Sequence, residues 1–133
     1  MSHDKNSPPK WLLPKFDNFL PELITQPNWV LTKPVLRDGK WTKPPLQPDG
    51  RYASATNPKT WSSFGEVKQA FDQGDFAAVG FVLDGNPHFC GKYLHGFDWD
   101  ECIVSGKLDA QVEIALKELK IPRVEISVSG TGI

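Results

Sequence analysis

Two aspartates, Asp98 and Asp100, stand one residue apart in the stretch HGFDWDECI at 95–103. On a β-strand, residues i and i+2 project to the same face, so both carboxylates leave one side while Phe97 and Trp99 leave the other. Like charges this close repel each other unless a cation lies between them. Mg²⁺ and Mn²⁺ prefer carboxylate oxygens, so the pair fits a divalent metal site of the kind used in phosphoryl transfer. A surface turn that holds both carboxylates in water is the alternative.

The second candidate site is the glycine-rich stretch SVSGTGI at 127–133. Where a strand runs into Ser-Gly-Thr-Gly, successive backbone N–H groups and nearby hydroxyls can form an anion-binding nest that suits a nucleoside triphosphate. The candidate nucleotide-binding residues are Ser127, Ser129, Gly130, Thr131 and Gly132. The spacings of a Walker A loop and of a dinucleotide fingerprint are absent. A glycine turn at the end of a strand is the alternative interpretation.

Charge is unevenly distributed, although the net charge is only −1. Residues 33–59 hold six basic side chains and two acids, a balance of +4, whereas residues 60–110 hold three lysines and eight acids, a balance of −5. A basic segment followed by an acidic one could place a polyanion-binding strip beside a cation-binding site. Two solvated faces of opposite sign are the alternative. Trp41, within the basic segment, is the one tryptophan that we keep open as a base-stacking residue.

A zinc site is the weakest of the candidates. His88, Cys90, His95 and Cys102 carry suitable atoms, but the sequence has no C-x₂-C pair. Reduced thiols and ordinary histidines account for these residues better.

Length and composition indicate one globular domain, or a piece of a larger one. The chain has 133 residues, of which 39% are hydrophobic, including five tryptophans. No apolar run is long enough to span a membrane, and the polar N-terminus does not resemble a secretory signal. With only two cysteines and no signal, we expect a cytoplasmic protein.

Three segments have helical patterns. Apolar residues at helical spacing over 16–24 indicate a helix whose upstream extent is limited by Pro21. The capping box SFGE at 63–66 predicts a helix that ends near Gly74. A further helix is predicted over 112–119.

Four apolar or alternating runs predict strands: NWVLT at 28–32, AAVGFVL at 77–83, FCGKYLHGFDWD at 89–100 and VEISV at 124–128. The turn signal DGNP at 84–87 predicts that the second and third runs pair as a hairpin. The proline-rich segment 33–60 predicts an ordered loop, or short edge strands around Lys40–Pro44, and 1–14 predicts a flexible tail. Together these patterns predict an α+β fold with a mainly antiparallel sheet and flanking helices.

Six segments in this order resemble a known family. They are NWVLTKP, KWTKPPL, ATNPKTWSSF, AAVGFVLDG, GFDWDECI and VEISVSGTGI. The chain is similar, over about 16–133, to the N-terminal primase–polymerase domain of phage- and plasmid-type replication proteins, in the archaeo-eukaryotic primase superfamily.

The resemblance implies a specific fold and activity. Residues 15–133 would form the N-terminal portion of a primase-like, RRM-like catalytic domain. Asp98 and Asp100 would bind the catalytic Mg²⁺ or Mn²⁺ ions for template-directed nucleotidyl transfer. Lys43, Lys40 and Arg51 would face the phosphates of a single-stranded DNA template or of the nucleoside triphosphate. A helicase domain or subunit is the expected partner.

The same resemblance places a histidine directly after the Ser-Gly-x-Gly stretch and a further acidic ligand downstream. Since the sequence ends at Ile133, it implies a C-terminally truncated domain, and we expect the isolated chain to be inactive in primer synthesis. A non-catalytic module that binds nucleotide or single-stranded DNA is the alternative. A replication-initiation nuclease fits less well, because its histidine pair and helical tyrosine are absent.

Overall fold

A computed structural model of the chain describes residues 7–88, 92–93 and 103–119. The described helices are α1 (Pro21–Ile24), α2 (Phe64–Asp72) and α3 (Ala110–Glu118), with 3-10 turns at Phe16–Asn18 and Pro58–Thr60. The described strands are β1 (Trp29–Thr32), β2 (Val35–Arg37), β3 (Lys40–Thr42), β4 (Ala78–Phe81), β5 (Pro87–His88), β6 (Lys92–Tyr93), β7 (Ile103–Val104) and β8 (Lys107–Leu108).

The chain divides into two compact units. One comprises Met1–Pro9 and Leu13–His95, and the other comprises Lys10–Leu12 and Gly96–Ile133. The first contains α1, α2 and β1 to β6, and the second contains β7, β8 and α3. Each strand pair among the described residues is antiparallel and two-stranded. The predicted α+β class with antiparallel pairing is therefore confirmed.

Strand β1 is the centre of the first unit. It pairs with β4 in a register that sets Trp29 opposite Phe81. Its other edge exchanges backbone hydrogen bonds with Ser62 and with Leu46, at 2.7–3.0 Å between nitrogen and oxygen. Both edges of this short strand are thus bonded, as expected for a strand of apolar residues in the middle of a unit.

The core lies between β1 and α2. Trp29 and Leu31 alternate along β1 and pack with Val67 and Ala70 of α2 and with Leu46. Aromatic side chains surround this cluster, and the ring of Phe19 is stacked on Trp29 with 5.5 Å between centroids. The partly buried hydrophobic residues around the core are Phe19, Leu23, Phe64, Phe71, Phe76, Val79 and Phe81.

The helix predicted over 16–24 forms only from Pro21, the residue that was expected to limit its upstream extent. The chain forms a 3-10 turn at Phe16–Asn18 and a separate one-turn helix, α1, with Phe19 and Leu20 extended between them. Pro21 occupies the first turn of α1. Because proline disfavours helical dihedrals in the residue before it, the apolar stripe cannot continue as one helix through Leu20.

The two longer helices begin as predicted. Ser63 caps α2, with its Oγ accepting a hydrogen bond from the backbone N–H of Glu66 at 3.2 Å. The helix ends before Gly74, whose φ of 94° suits the residue that follows a helix. Helix α3 begins after Asp109, which accepts hydrogen bonds from the N–H groups of Gln111 and Val112.

The strand predictions have mixed outcomes. The run at 28–32 is confirmed as β1, and the run at 77–83 contains β4. Strand β4 pairs with β1, and β6 pairs with β5; the predicted pairing of the run at 77–83 with the run at 89–100 stays a prediction, because most of the second run lies outside the described residues. The rest of the run at 89–100 and the strand predicted at 124–128 lie outside the described residues. The described part of the N-terminal tail, 7–14, contains neither helix nor strand.

Candidate nucleic-acid interface

The predicted metal and triphosphate ligands lie outside the described residues. These are Asp98, Asp100, Ser127, Ser129, Gly130, Thr131 and Gly132. The cysteines and His95 of the zinc alternative lie there too, and His88 belongs to β5. Within the described ranges, no group of three or more histidine, cysteine or acidic side chains could hold a metal ion. The described surface that bears most directly on function is therefore the basic segment 33–59.

Strands β2 and β3 form a hairpin whose turn is Asp38-Gly39. Both turn residues have positive φ, 51° and 76°, as a two-residue type I′ turn requires. Glycine reaches this region without a Cβ clash, and aspartate is among the few other residues that tolerate it. Further along the hairpin, Thr42 Oγ1 donates a hydrogen bond to the carbonyl oxygen of Val35 at 2.9 Å. The turn and this bond fix the register of the two strands.

The register brings two cations together. Arg37 lies directly opposite Lys40, and Leu36 lies opposite Trp41. Directly paired residues share a face, so Arg37 and Lys40 project from one face, and Leu36 and Trp41 from the other. Both cations are exposed. Among the ion pairs of the described residues, none involves either side chain.

Lys43 extends the basic surface beyond β3. Lys40 is the first residue of β3 and Lys43 follows its last, and both are exposed. Three residues of extended chain span about 10 Å. Over 33–43 the sequence has four basic residues and one acid, a balance of +3. The predicted phosphate-binding residues Lys40 and Lys43 thus belong to one short, strongly basic segment.

Arg51, the third residue predicted to bind nucleic acid, has a different environment. It follows the turn at 47–50, and its Nε lies 2.7 Å from Asp49 Oδ2. Its backbone N–H donates to Asp49 Oδ1 at 3.0 Å. These two hydrogen bonds, the backbone one first, lower the pKa of the exposed Asp49 carboxyl below its ordinary value. Arg51 therefore has a carboxylate ion-pair partner, whereas no ion pair of the described residues involves Arg37 or Lys40.

The side chain of Trp41 is not fully exposed on the hairpin surface. Its side chain is half-buried and has an interaction partner within the protein. Leu36, on the same hairpin face, is 41% exposed. This face is therefore more apolar than the face of Arg37 and Lys40, and base stacking on Trp41 stays a prediction.

The segment ATNPKTWSSF, part of the family resemblance, has a folding role. Trp61 Nε1 donates to the carbonyl oxygen of Ser54 at 2.7 Å, and Thr60 Oγ1 accepts from the Ser54 N–H at 2.9 Å. Asn57 caps the 3-10 turn by accepting from the N–H of Lys59. Since Ser63 caps α2, the polar side chains of this motif shape the connection between the basic segment and α2.

Arg37 is the residue that sequence reasoning missed. The dipeptide Asp38-Gly39 between VLR and KWT is a strong signal for a two-residue hairpin. A hairpin closed by that turn places Arg37 opposite Lys40. The same signal, Ser105-Gly106, with φ of 53° and 75°, closes the β7–β8 hairpin.

Comparison of the chain with protein-family models and with curated proteins returned no match. In the part of the chain that the structure describes, no helix has the length and apolar character needed to cross a membrane.

Proposed function

We propose that this chain is part of a primase–polymerase that performs metal-dependent, template-directed nucleotidyl transfer during replication of phage or plasmid DNA. The observation that carries the proposal is the order of the six family-like segments, above all the D-x-D pair followed by the Ser-Gly-Thr-Gly ending. The α+β class with antiparallel pairing supports it in outline. The finer primase-like, RRM-like catalytic fold is part of the proposal.

In this proposal Asp98 and Asp100 hold Mg²⁺ or Mn²⁺. Their carboxylates are the hard oxygen donors that these ions prefer, and the i, i+2 spacing presents both on one face of a strand. The bound metal supplies neutralisation of the charge that develops at the reacting phosphate. The backbone N–H groups of the glycine-rich stretch 129–132 hold the triphosphate. A helicase domain or subunit separates the DNA strands.

The alternative function is a module that binds single-stranded DNA or nucleotide without catalysis. The exposed cations of the β2–β3 hairpin favour it, because they need no metal to contact phosphates. The two functions differ in one measurable property. Only the enzyme requires a divalent metal site at Asp98 and Asp100.

Titration with Mn²⁺ followed by electron paramagnetic resonance tests the enzyme. We expect the protein to bind Mn²⁺ and the variant Asp98→Asn/Asp100→Asn to lose that binding. The control Asp17→Asn/Asp75→Asn removes the same two charges from exposed positions, and it should bind Mn²⁺ as the unmodified protein does. Equal Mn²⁺ binding by all three proteins contradicts the metal site and leaves the binding module as the better function.

A further inference from the structure

We propose that Arg37 and Lys40 of the β2–β3 hairpin form a clamp for the phosphodiester backbone of single-stranded DNA. The two residues are called the hairpin cation pair below. The proposal rests on the proposed function for its choice of polyanion, since a DNA template is the polyphosphate that a primase–polymerase must hold.

The first argument is the cost of the arrangement. Like charges directly opposite each other on an antiparallel pair destabilise it. Arg37 and Lys40 occupy such a pair, and no ion pair within the described ranges offsets their repulsion. A bound phosphate turns this repulsion into two attractive contacts.

The second argument is geometry. Cβ atoms of directly opposite residues lie about 4.5–5.5 Å apart on one face, so both side chains can reach the same phosphate or two neighbouring ones. Arginine offers a planar fork of donors to phosphate oxygens, and lysine adds a point charge. The pair flanks the turn at 38–39, where all four residues of the hairpin tip are exposed.

The third argument concerns the kind of anion. Lys43 lies about 10 Å further along the extended chain from Lys40 and, being three residues away, leaves the opposite face, so it and Lys33, which precedes β2, add positive charge around the hairpin rather than a third contact on the face of the pair. Cations spread over this length match the repeating charges of a nucleic-acid strand better than the compact charge of one triphosphate. Asp38 is the only acid of the segment 33–43.

The test measures binding of a fluorescent oligothymidylate by anisotropy at several salt concentrations. The variant Arg37→Gln/Lys40→Gln should bind at least about tenfold more weakly, because hydrogen bonds to charged groups are lost. Two lost phosphate contacts should reduce the slope of log affinity against log salt by about 1.4, since each contributes about 0.7 for single strands. Both effects should be independent of Mn²⁺.

The matched control is Lys68→Gln/Lys117→Gln. It also removes two positive charges, but both lysines have carboxylate partners on their own helices, Asp72 at 2.9 Å and Glu113 at 3.9 Å. We expect its affinity to stay within about twofold of the unmodified protein, because these cations already have counter-charges. Equal losses in the two double variants would show an effect of net charge alone and overturn the clamp.

A variant expected to bind more tightly distinguishes loss of phosphate contacts from misfolding, because misfolding would not increase the affinity. Asp38→Asn removes the acid between the two cations, and Asn-Gly is favoured in type I′ turns, so the hairpin is retained. This variant should bind the oligonucleotide more tightly than the unmodified protein. Unchanged or weaker binding contradicts the clamp.

Two further experiments distinguish the DNA clamp from a triphosphate site and from the proposed polymerase activity. Competition by deoxythymidine triphosphate at equal total phosphate should displace little oligonucleotide; full displacement assigns the hairpin to the triphosphate and overturns the proposal.

Arg37→Gln/Lys40→Gln should keep Mn²⁺ binding, and Asp98→Asn/Asp100→Asn should keep oligonucleotide binding. If both double variants keep Mn²⁺ binding and the hairpin variant loses DNA binding, the polymerase is contradicted while the clamp stands. Unchanged DNA binding by the hairpin variant, with Mn²⁺ binding lost in the aspartate variant, contradicts the clamp while the polymerase stands.

Discussion

Arg37 and Lys40 face each other across the β2–β3 hairpin, each one residue from the turn. Since their charges repel, Lys40→Glu should replace repulsion with attraction and raise the free energy of unfolding by about 0.2–1 kcal/mol. Urea unfolding followed by tryptophan fluorescence measures the change. Lys43→Glu is the control, because it makes the same charge change outside the paired strands. An equal gain from both variants would attribute the effect to overall charge rather than to the cross-strand pair.

Replacing a glycine by alanine should have opposite effects on stability at the Asp38-Gly39 turn and in helix α2. A Cβ at Gly39 or at Gly65 meets no atom within 4 Å, so neither substitution causes a clash. Gly39 has a φ of 76°, and Gly39→Ala should cost about 1–2 kcal/mol because the left-handed region disfavours a Cβ. Gly65 lies in α2, and Gly65→Ala should stabilise by about 0.5–1 kcal/mol. Thermal unfolding of both variants checks the signs, and a shift of the same sign in both contradicts the turn.

A buried asparagine ties the start of β1 to the end of β4. Asn28 is 3% exposed, and its Nδ2 donates to the carbonyl oxygen of Val82 at 3.0 Å and to Asp84 Oδ2 at 3.1 Å. We expect Asn28→Ala to cost about 1–3 kcal/mol, because a buried carbonyl loses its side-chain donor. Asn86→Ala, at an exposed position, should change the free energy of unfolding by less than about 0.5 kcal/mol. Similar costs for the two variants would deny Asn28 its role in joining the strands.

The Asp49–Arg51 turn makes a prediction about pH. The pKa of Asp49 is lowered first by the backbone N–H of Arg51 and then by its side chain. Because the folded-state pKa is the lower one, the stabilising contribution is present above the ordinary carboxyl pKa and is lost as pH falls through the lowered pKa. Arg51→Gln keeps the backbone donor, so the pKa of Asp49 should rise only part of the way to its ordinary value. Carboxyl-carbon NMR titration measures it, and a complete return would show that the side chain alone is responsible.

Local signals predicted the local structure well. The capping box at Ser63 and the apolar spacing of 112–119 each correspond to a helix, because their causes lie within a few residues of chain. Pairing between distant strands could not be predicted from local signals. The pairing of β4 with β1 joins residues about 50 positions apart, and it depends on core packing that adjacent sequence does not encode.

The candidate nucleic-acid interface was also predictable only in part. The positions of Lys40 and Lys43 on an exposed basic segment could be predicted from composition. The pairing of Arg37 with Lys40 depends on the register of the hairpin, which the Asp38-Gly39 turn sets. The many prolines of this segment led us to predict a loop or short edge strands there without a register. The arrangement of Asp98 and Asp100 stays a prediction, because both lie outside the described residues.

The predicted metal site makes one prediction that joins stability to function. If Asp98 and Asp100 project from one face of a strand, their repulsion is uncompensated without a metal ion. The variant Asp98→Asn/Asp100→Asn should then be as stable as the unmodified protein, or more stable, in metal-free buffer. With Mn²⁺ at about 100 times its dissociation constant, the unmodified protein should gain about 2.7 kcal/mol in free energy of unfolding, and the variant should gain none.

Urea unfolding with and without Mn²⁺ measures both halves of this prediction. The control Asp17→Asn/Asp75→Asn carries the same charge change at exposed positions, and it should gain stability from Mn²⁺ as the unmodified protein does. A large loss of stability in the metal-free aspartate variant would instead give these carboxylates a structural role, because hydrogen-bonded carboxylates stabilise the folded state while repelling ones do not. An equal gain from Mn²⁺ in all three proteins would place the bound ion elsewhere in the chain and leave the D-x-D pair without its proposed chemistry.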